Sequence, residues 1–361
     1  MKSPSVNSIA VGLLAIVLFV VILVFGKPFL VPITVAVLLS LLLLPACNWL
    51  ERKGVNKVIA TICSMLLLAG VVTIIVLFVK WQVADLLGDA SKLGQRFSEL
   101  IREVQHYVRK EVGIPVKEQQ QLINNQSSDG KGSFMTDAMG SLVGILMDVI
   151  LITVYIFLFL YFRARIKRFI IQLVTTKEKN NTLEILHSIQ GVTQQYLTGL
   201  ALMIMSLWIL YSIGFTIVGV ENAVFFAILC GLLELVPFVG NITGTVLTIL
   251  MSMMQGGDGT MVIGILITYG VIQFFQSYVL EPLVVGAEVN INPLFTILGL
   301  VAGEMVWGIS GMILAIPLMG ITKIVFDHIE SLKPYGDLMG RSKSDNKLKD
   351  RIMRMFRPGK G

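Results

Sequence analysis

The sequence predicts an all-α fold, a polytopic membrane helical bundle, and three observations carry that prediction. Of 361 residues, 55% are apolar and only 14% are charged, against about 25% charged in an average soluble domain. The apolar residues fall in long unbroken runs, not in the ten-residue alternating segments of a membrane β-barrel. The charges collect between the runs, with basic and balanced segments taking turns. A mean hydropathy of +0.80 leaves too little polar surface for a cytosolic enzyme, and far too much apolar surface for a disordered chain or a collagen-like fibre.

The runs lie at 9–26, 29–50, 58–80, 141–162, 196–219, 222–254, 261–280 and 293–322, giving eight hydrophobic segments near or above the ~20 residues a membrane helix needs. The first reads as a retained span, because Gly26-Lys27-Pro28 leads straight into the second and no small-x-small cleavage site precedes it. Orientation follows the bases in short loops. Arg52, Lys53 and Lys57 follow the second run, and Arg163, Arg165, Lys167 and Arg168 follow the fourth. Residues 323–361 carry ten bases against five acids, while 81–140 carry seven bases against eight acids. The basic segments are expected to be cytoplasmic, with both termini inside, and 81–140 extracytoplasmic.

The chain accordingly divides into 1–80 (N-terminal transmembrane helices), 81–140 (an extracytoplasmic amphipathic helix and polar linker), 141–195 (a transmembrane helix and basic cytoplasmic connector), 196–330 (a membrane core with broken helices) and 331–361 (a basic cytoplasmic tail). In the outer region, apolar residues from Val83 to Val112 recur at three- and four-residue steps, forming one face of a helix. Residues 119–133 read as a linker, and 178–195 as a separate helix of the connector. Arg163, Arg165, Lys167 and Arg168 suit anionic headgroups. Cys47, Cys63 and Cys230 each sit in or beside an apolar run and are expected to be small buried side chains. No spacing of the three histidines suggests a metal site.

Two runs are interrupted. Around residues 233–244 the sequence reads Leu-Glu-Leu-Val-Pro-Phe-Val-Gly-Asn-Ile-Thr-Gly. Pro237 lacks a donor and clashes with the preceding turn, so a helix should break near Pro237–Gly240. The second holds Gly303-Glu304, Gly308 and Gly311, then Pro317. Broken backbone at membrane depth must be buried in protein or line a wet cavity, and paired interrupted segments build the ion and substrate sites of secondary transporters. Both segments either cross or turn back as re-entrant hairpins. Gly244 and Gly311 also suit close helix packing.

Between Tyr196 and Thr322 there is no Lys, Arg or His, but there are six acids. Glu234 and Glu304 lie within runs and must be neutral, face water, bind a cation, or pair with a base from another segment. Protonation gives proton coupling; Glu234, Asn241, Thr243 and freed carbonyls supply oxygens for sodium. Glu281, at a run end before Pro282, and Asp148, inside an earlier run, are further candidates. Gln273 and Gln276 share a helix face, to bind a polar substrate or to cross-link helices. No cofactor is expected beyond the coupled H+ or Na+.

The stretches Leu235-Val236-Pro237-Phe238-Val239-Gly240, Glu281-Pro282-Leu283-Val284-Val285-Gly286, Asn292-Pro293-Leu294 and Gly308-Ile309-Ser310-Gly311 through Ala315-Ile316-Pro317-Leu318, with Pro28-Phe29-Leu30-Val31-Pro32, Pro45 and Tyr196-Leu197-Thr198-Gly199, resemble the autoinducer-2 exporter family of PerM-type permeases over residues 9–335. The resemblance implies a bacterial inner-membrane protein and a homo-oligomer, with a pentamer as the family's assembly. It further implies export of a quorum-sensing signal or a small solute, and in some members sodium or proton antiport. The expected function is a secondary transporter or permease with Glu234 as coupling acid and Glu304 as a second. The alternatives are an oligomeric cation-selective channel and a membrane scaffold organised by the outer helix. The lipid bilayer, a small solute and further copies of the chain are the expected partners, and nucleic acid is not. An enzyme is disfavoured: there is no H-E-x-x-H or G-x-S-x-G, and no base stands near the acids. No Walker motif offers ATP as a direct drive.

Overall fold

The computed structural model describes residues 6–88, 133–175, 178–237, 239–285 and 291–340. Helix is the regular structure throughout, apart from one isolated bridge between Ile291 and Gly340 among the described residues. The elements are α1 (Val6–Phe25), α2 (Lys27–Arg52), α3 (Lys57–Gly88), α4 (Ser133–Gln172), α5 (Lys179–Val218), α6 (Ala223–Leu233), α7 (Val239–Met254), α8 (Gly259–Phe275), a π-helical continuation Gln276–Val285, α9 (Pro293–Trp307), α10 (Ile309–His328) and α11 (Lys333–Met339). Among the described residues, six helices are long and apolar enough to cross a membrane, in α2, α3, α4, α5, α8 and α10. Most of the outer region and the tail beyond Gly340 lie outside the described residues.

The polytopic helical fold agrees with the sequence, and the boundaries differ instructively. The connector helix expected at 178–195 and the span beginning at Tyr196 are one helix, α5, of 40 residues. At 1.5 Å per residue it reaches ~60 Å, about twice the hydrocarbon thickness. A change from polar to apolar composition moves a helix into a new solvent without breaking its hydrogen-bond ladder. The π-helical stretch contains Pro282, whose missing N–H removes one rung of the α ladder.

The chain separates into two compact units: Met1–Met65 with Val154–Met203 and Val279–Gly361, and Leu66–Thr153 with Ile204–Tyr278. In the first unit, α9 and α10 form a hairpin folded at Gly308, which has φ 66° and ψ −144°, a region that glycine alone enters freely. The arms touch backbone to backbone: a Cβ on Gly303 would stand 2.5 Å from the Gly311 carbonyl oxygen. The start of α9 also meets the end of α11, since the Asn292 amide donates to the Met339 carbonyl at 2.7 Å. Trp307 Nε1 donates to the Leu23 carbonyl of α1 at 2.9 Å, and Trp307 packs with Leu38 and Leu314 in a buried cluster.

Elsewhere in this unit, Arg163 forms an ion pair with Glu51 and also donates to Cys47 Sγ at 3.2 Å. Arg163 is thus half-buried against α2, whereas Arg165, Lys167 and Arg168 are exposed, as headgroup contacts require. Cys47 and Cys230 are buried as expected, but Cys63 is exposed. It projects from α3, whose apolar side chains, Leu66 and Ile74 among them, stay open as they would to lipid.

In the second unit, α6 and α7 form another hairpin. A Cβ on Gly244 would lie 3.1 Å from Cys230 Cα, so the arms pack at glycine distance. Trp208 Nε1 ties α5 to the Ile228 carbonyl at 3.1 Å. Both interrupted runs are therefore hairpins whose arms return. The arms α6, α7 and α9 have 11, 16 and 15 residues, or ~16–24 Å, short of the ~30 Å hydrocarbon.

Candidate functional site

The site is the apex of the α6–α7 hairpin and the face of α8 that meets it. Helix α6 ends at Leu233 because residue 237 is proline and cannot donate to Leu233. That carbonyl instead accepts from Val236 at 2.9 Å, and the Leu232 carbonyl accepts from Leu235 at 3.2 Å. This tightened turn carries Glu234 on the apex. The chain re-enters helix at Val239, and Gly240 donates to the Val236 carbonyl at 3.0 Å. Gly240 sits so close to the Leu233 carbonyl that a Cβ would overlap it.

Helix α8 and its π-helical continuation supply the partners. Gln276 Nε2 donates to Glu234 Oε1 at 2.8 Å. Gln273 Oε1 accepts from Asn241 Nδ2. Tyr211 of α5 donates its hydroxyl to Asn241 Oδ1 at 3.3 Å. Asn241, Tyr211 and Gln276 are 5%, 1% and 6% exposed, so the amides stand in a dry wall, and Glu234 is half-buried at its edge. The Oε1 atom of Gln276 is buried with no hydrogen-bond partner.

Glu234, Pro237, Gly240, Asn241, Gln273 and Gln276 thus come together in one cluster. Gly244 serves the packing of the hairpin one turn below. Thr243 is exposed, and its hydroxyl donates to the Val239 carbonyl at 2.7 Å. Asp148 on α4 is exposed. Glu304, Gly308 and Gly311 belong to the α9–α10 hairpin of the first unit, with the Glu304 side chain exposed and its carbonyl capped by the Gly308 amide at 2.7 Å. Glu281 is exposed in the π-helical stretch, which also contains Pro282. Among the described residues no group of three or more His, Cys, Asp or Glu side chains is placed to hold a metal ion.

Sequence reasoning missed Tyr211, although a hydroxyl in the middle of an apolar span must find a partner. It also missed a buried polar stripe on α7, formed by Asn241, Thr245, Thr248 and Ser252. Their steps of four, three and four residues are a helical period.

The model of the AI-2E family transporter matches residues 13–331. The chain belongs to the AI-2E transporter family. That match takes in both hairpins and every candidate residue above. Relatives carrying the name "Putative transport protein" are similar over most of the chain. YrrI of Bacillus subtilis is 23% identical over 84% of this chain and 87% of its own length. MT0215 of Mycobacterium tuberculosis is 22% identical over 85% of each. YhhT of Escherichia coli K12 is 20% identical over 88% of this chain and 90% of its own. This AI-2E family member is therefore a multi-pass membrane protein of a transporter family.

Proposed function

We propose that the protein is a secondary transporter of a small polar solute, coupled to H+ or Na+ through Glu234. It is not an enzyme in this reading; it acts as a homo-oligomer in the bacterial inner membrane, with both termini cytoplasmic. The observation that carries the proposal is the Glu234–Gln276 hydrogen bond at the apex of a broken helix, in a stretch of sequence without a single base. An acid held there by an amide, at the edge of a buried polar cluster, is placed to take up and release a proton or cation.

Gln276 suits both states of the acid. Its NH2 donates to the ionised carboxylate. Turned over, its Oε1, which has no partner, accepts the proton of the neutral acid. The same side chain thus satisfies Glu234 before and after proton uptake, while the Asn241–Gln273–Tyr211 chain holds the hairpin against α8. Export of a signal such as autoinducer-2 fits a polar solute recognised by these amides. Glu304, on the second hairpin, is the further acid of the same reading.

The test is flux in proteoliposomes of purified protein, wild type beside Glu234→Gln, under imposed proton or sodium gradients. Ion movement in wild type that disappears in Glu234→Gln supports coupling. Wild-type ion flux in the variant removes Glu234 from the role.

A further inference from the structure

A second polar site lies in the same unit, at the open end of the α6–α7 hairpin and away from its apex. There a pocket of about 140 Å3 is lined by Glu221, Ser252, Gln255, Gly256, Gly257 and Met261, with Gly219 at its edge. The volume equals several waters at ~30 Å3 each. Two lining residues carry oxygens that are buried and without a hydrogen-bond partner, Ser252 Oγ and Gln255 Oε1. Ser252 as a whole is 2% exposed. Buried polar atoms are almost always satisfied, so an orphaned pair beside one cavity points to something that occupies it.

The electrostatics choose the sign of the occupant. Helix α5 ends in a Schellman cap: Val220 donates to the Phe215 carbonyl at 2.9 Å and Gly219 to Thr216 at 3.1 Å. Helix α7 ends in another: Gly257 donates to the Ser252 carbonyl at 2.9 Å and Gly256 to Met253 at 3.1 Å. Both caps need glycine at positive φ, 87° at Gly219 and 101° at Gly256. Two helix C-termini, each the negative end of a macrodipole, therefore converge on one cavity that the exposed Glu221 also lines. The N-terminus of α8 is the nearby positive end, but Asp258 caps it, accepting from the Met261 amide at 3.0 Å. No Lys, Arg or His occurs between residues 196 and 322 to neutralise the group from within this stretch.

We propose that this pocket binds a small alkali-metal cation, held by Glu221, Ser252 and Gln255 with retained water. The lining offers oxygen and almost nothing soft, which suits a hard cation. One lining carboxylate favours a monovalent ion; calcium sites bring several. The buried stripe Thr248, Thr245 and Asn241 runs from Ser252 toward the apex, but the site is defined without any role for Glu234 and stands whether or not that acid couples transport.

The experiment is 22Na+ binding to the purified protein, with choline as the balancing ion, in wild type, Glu221→Gln, Ser252→Ala and, as a control carboxylate outside the pocket, Glu330→Gln, which is exposed. A thermal midpoint in choline checks that each variant is folded. Expected is at least tenfold weaker binding in Glu221→Gln, severalfold weaker in Ser252→Ala, and affinity within twofold of wild type in Glu330→Gln. Wild-type affinity in both pocket variants overturns the site. So does the absence of saturable Na+ binding in wild type, which leaves water as the occupant. Because Glu221 is exposed and Ser252→Ala removes one oxygen, a folded variant is expected for each.

Discussion

Replacing glycines of the α6–α7 hairpin tests the packing that positions Glu234. A Cβ on Gly244 would stand 2.9 Å from Cys230 Sγ and 3.1 Å from Cys230 Cα. Carbon atoms prefer ~3.5–4.0 Å, so Gly244→Ala must drive α7 off α6 by roughly half an ångström. Overpacking of this kind costs about 1–3 kcal/mol, offset by up to ~1 kcal/mol of helix propensity gained over glycine. The net expectation is a loss of ~1–2 kcal/mol. Gly240→Ala is worse. Its Cβ would fall on the Leu233 carbonyl, which is backbone and cannot rotate away, so the loss is expected at ~3 kcal/mol or more. Gly270→Ala in α8 is the control, because nothing lies within 4 Å of its Cβ. The propensity gain is then unopposed, and the protein should be unchanged or stabilised by up to ~1 kcal/mol. Thermal midpoints of the purified proteins, scanned at one rate, read the order. At about 2 °C per kcal/mol for a chain this long, Gly244→Ala should melt ~2–4 °C below wild type and Gly240→Ala at least ~6 °C below. Midpoints for both at or above that of Gly270→Ala would refute the close approach of the two arms.

Three further outcomes follow from the hydrogen bonds. Asn241→Ala leaves the Tyr211 hydroxyl and Gln273 Oε1 without their partner, at about 1–3 kcal/mol, whereas Tyr211→Phe removes one bond worth ~0.6 kcal/mol in membrane proteins; the reverse order of midpoints would contradict the network. Trp307→Phe removes the donor to the Leu23 carbonyl and should cost about 1 kcal/mol, read as a lowered midpoint; no change would dissolve that link between α9 and α1. A double-mutant cycle of Glu51→Gln and Arg163→Met should give a coupling no larger than ~1 kcal/mol, since both side chains are partly exposed, at 27% and 23%. Arg163→Met alone should cost more than Glu51→Gln alone, because Arg163 also reaches Cys47 Sγ and the Leu160 carbonyl.

The fold class was legible because bilayer length and backbone satisfaction leave few solutions for a chain this apolar. The break at Pro237 was legible because proline's missing donor is a local fact. So was the shared face of Gln273 and Gln276, which three-residue spacing dictates and which the structure turns toward Glu234 and Asn241. What escaped was non-local. The Glu51–Arg163 pair joins residues 112 apart, and no pattern along the chain announces which acid a headgroup-side arginine will meet. Tyr211 found its role only through a turn 30 residues away. Cys63 looked like Cys47 in sequence. The difference is which face of α3 meets a neighbour, and uniform hydrophobicity conceals it, since a helix apolar all round presents no stripe to read.

The same uniformity hid whether the broken runs cross the membrane, and here the ends of the hairpins decide. Gly219, Glu221, Ser252 and Gln255 with Gly256 and Gly257 line one pocket, so the run between them starts and finishes at one place. Asn292 and Met339 are hydrogen-bonded, so α9 begins beside the end of α11. The α6–α7 hairpin adds no net crossing. On the count of crossings expected from the basic segments, both ends of the α6–α7 hairpin are expected to face outside. Single cysteines in a background lacking Cys47, Cys63 and Cys230 test the count with an impermeant maleimide on whole cells. Glu221→Cys and Gly259→Cys should both label from outside, and Tyr335→Cys, exposed on α11, only after permeabilisation. Labelling of Glu221→Cys and Gly259→Cys from opposite sides would mean that the run between them crosses, and the hairpin geometry around Glu234 would fall with it.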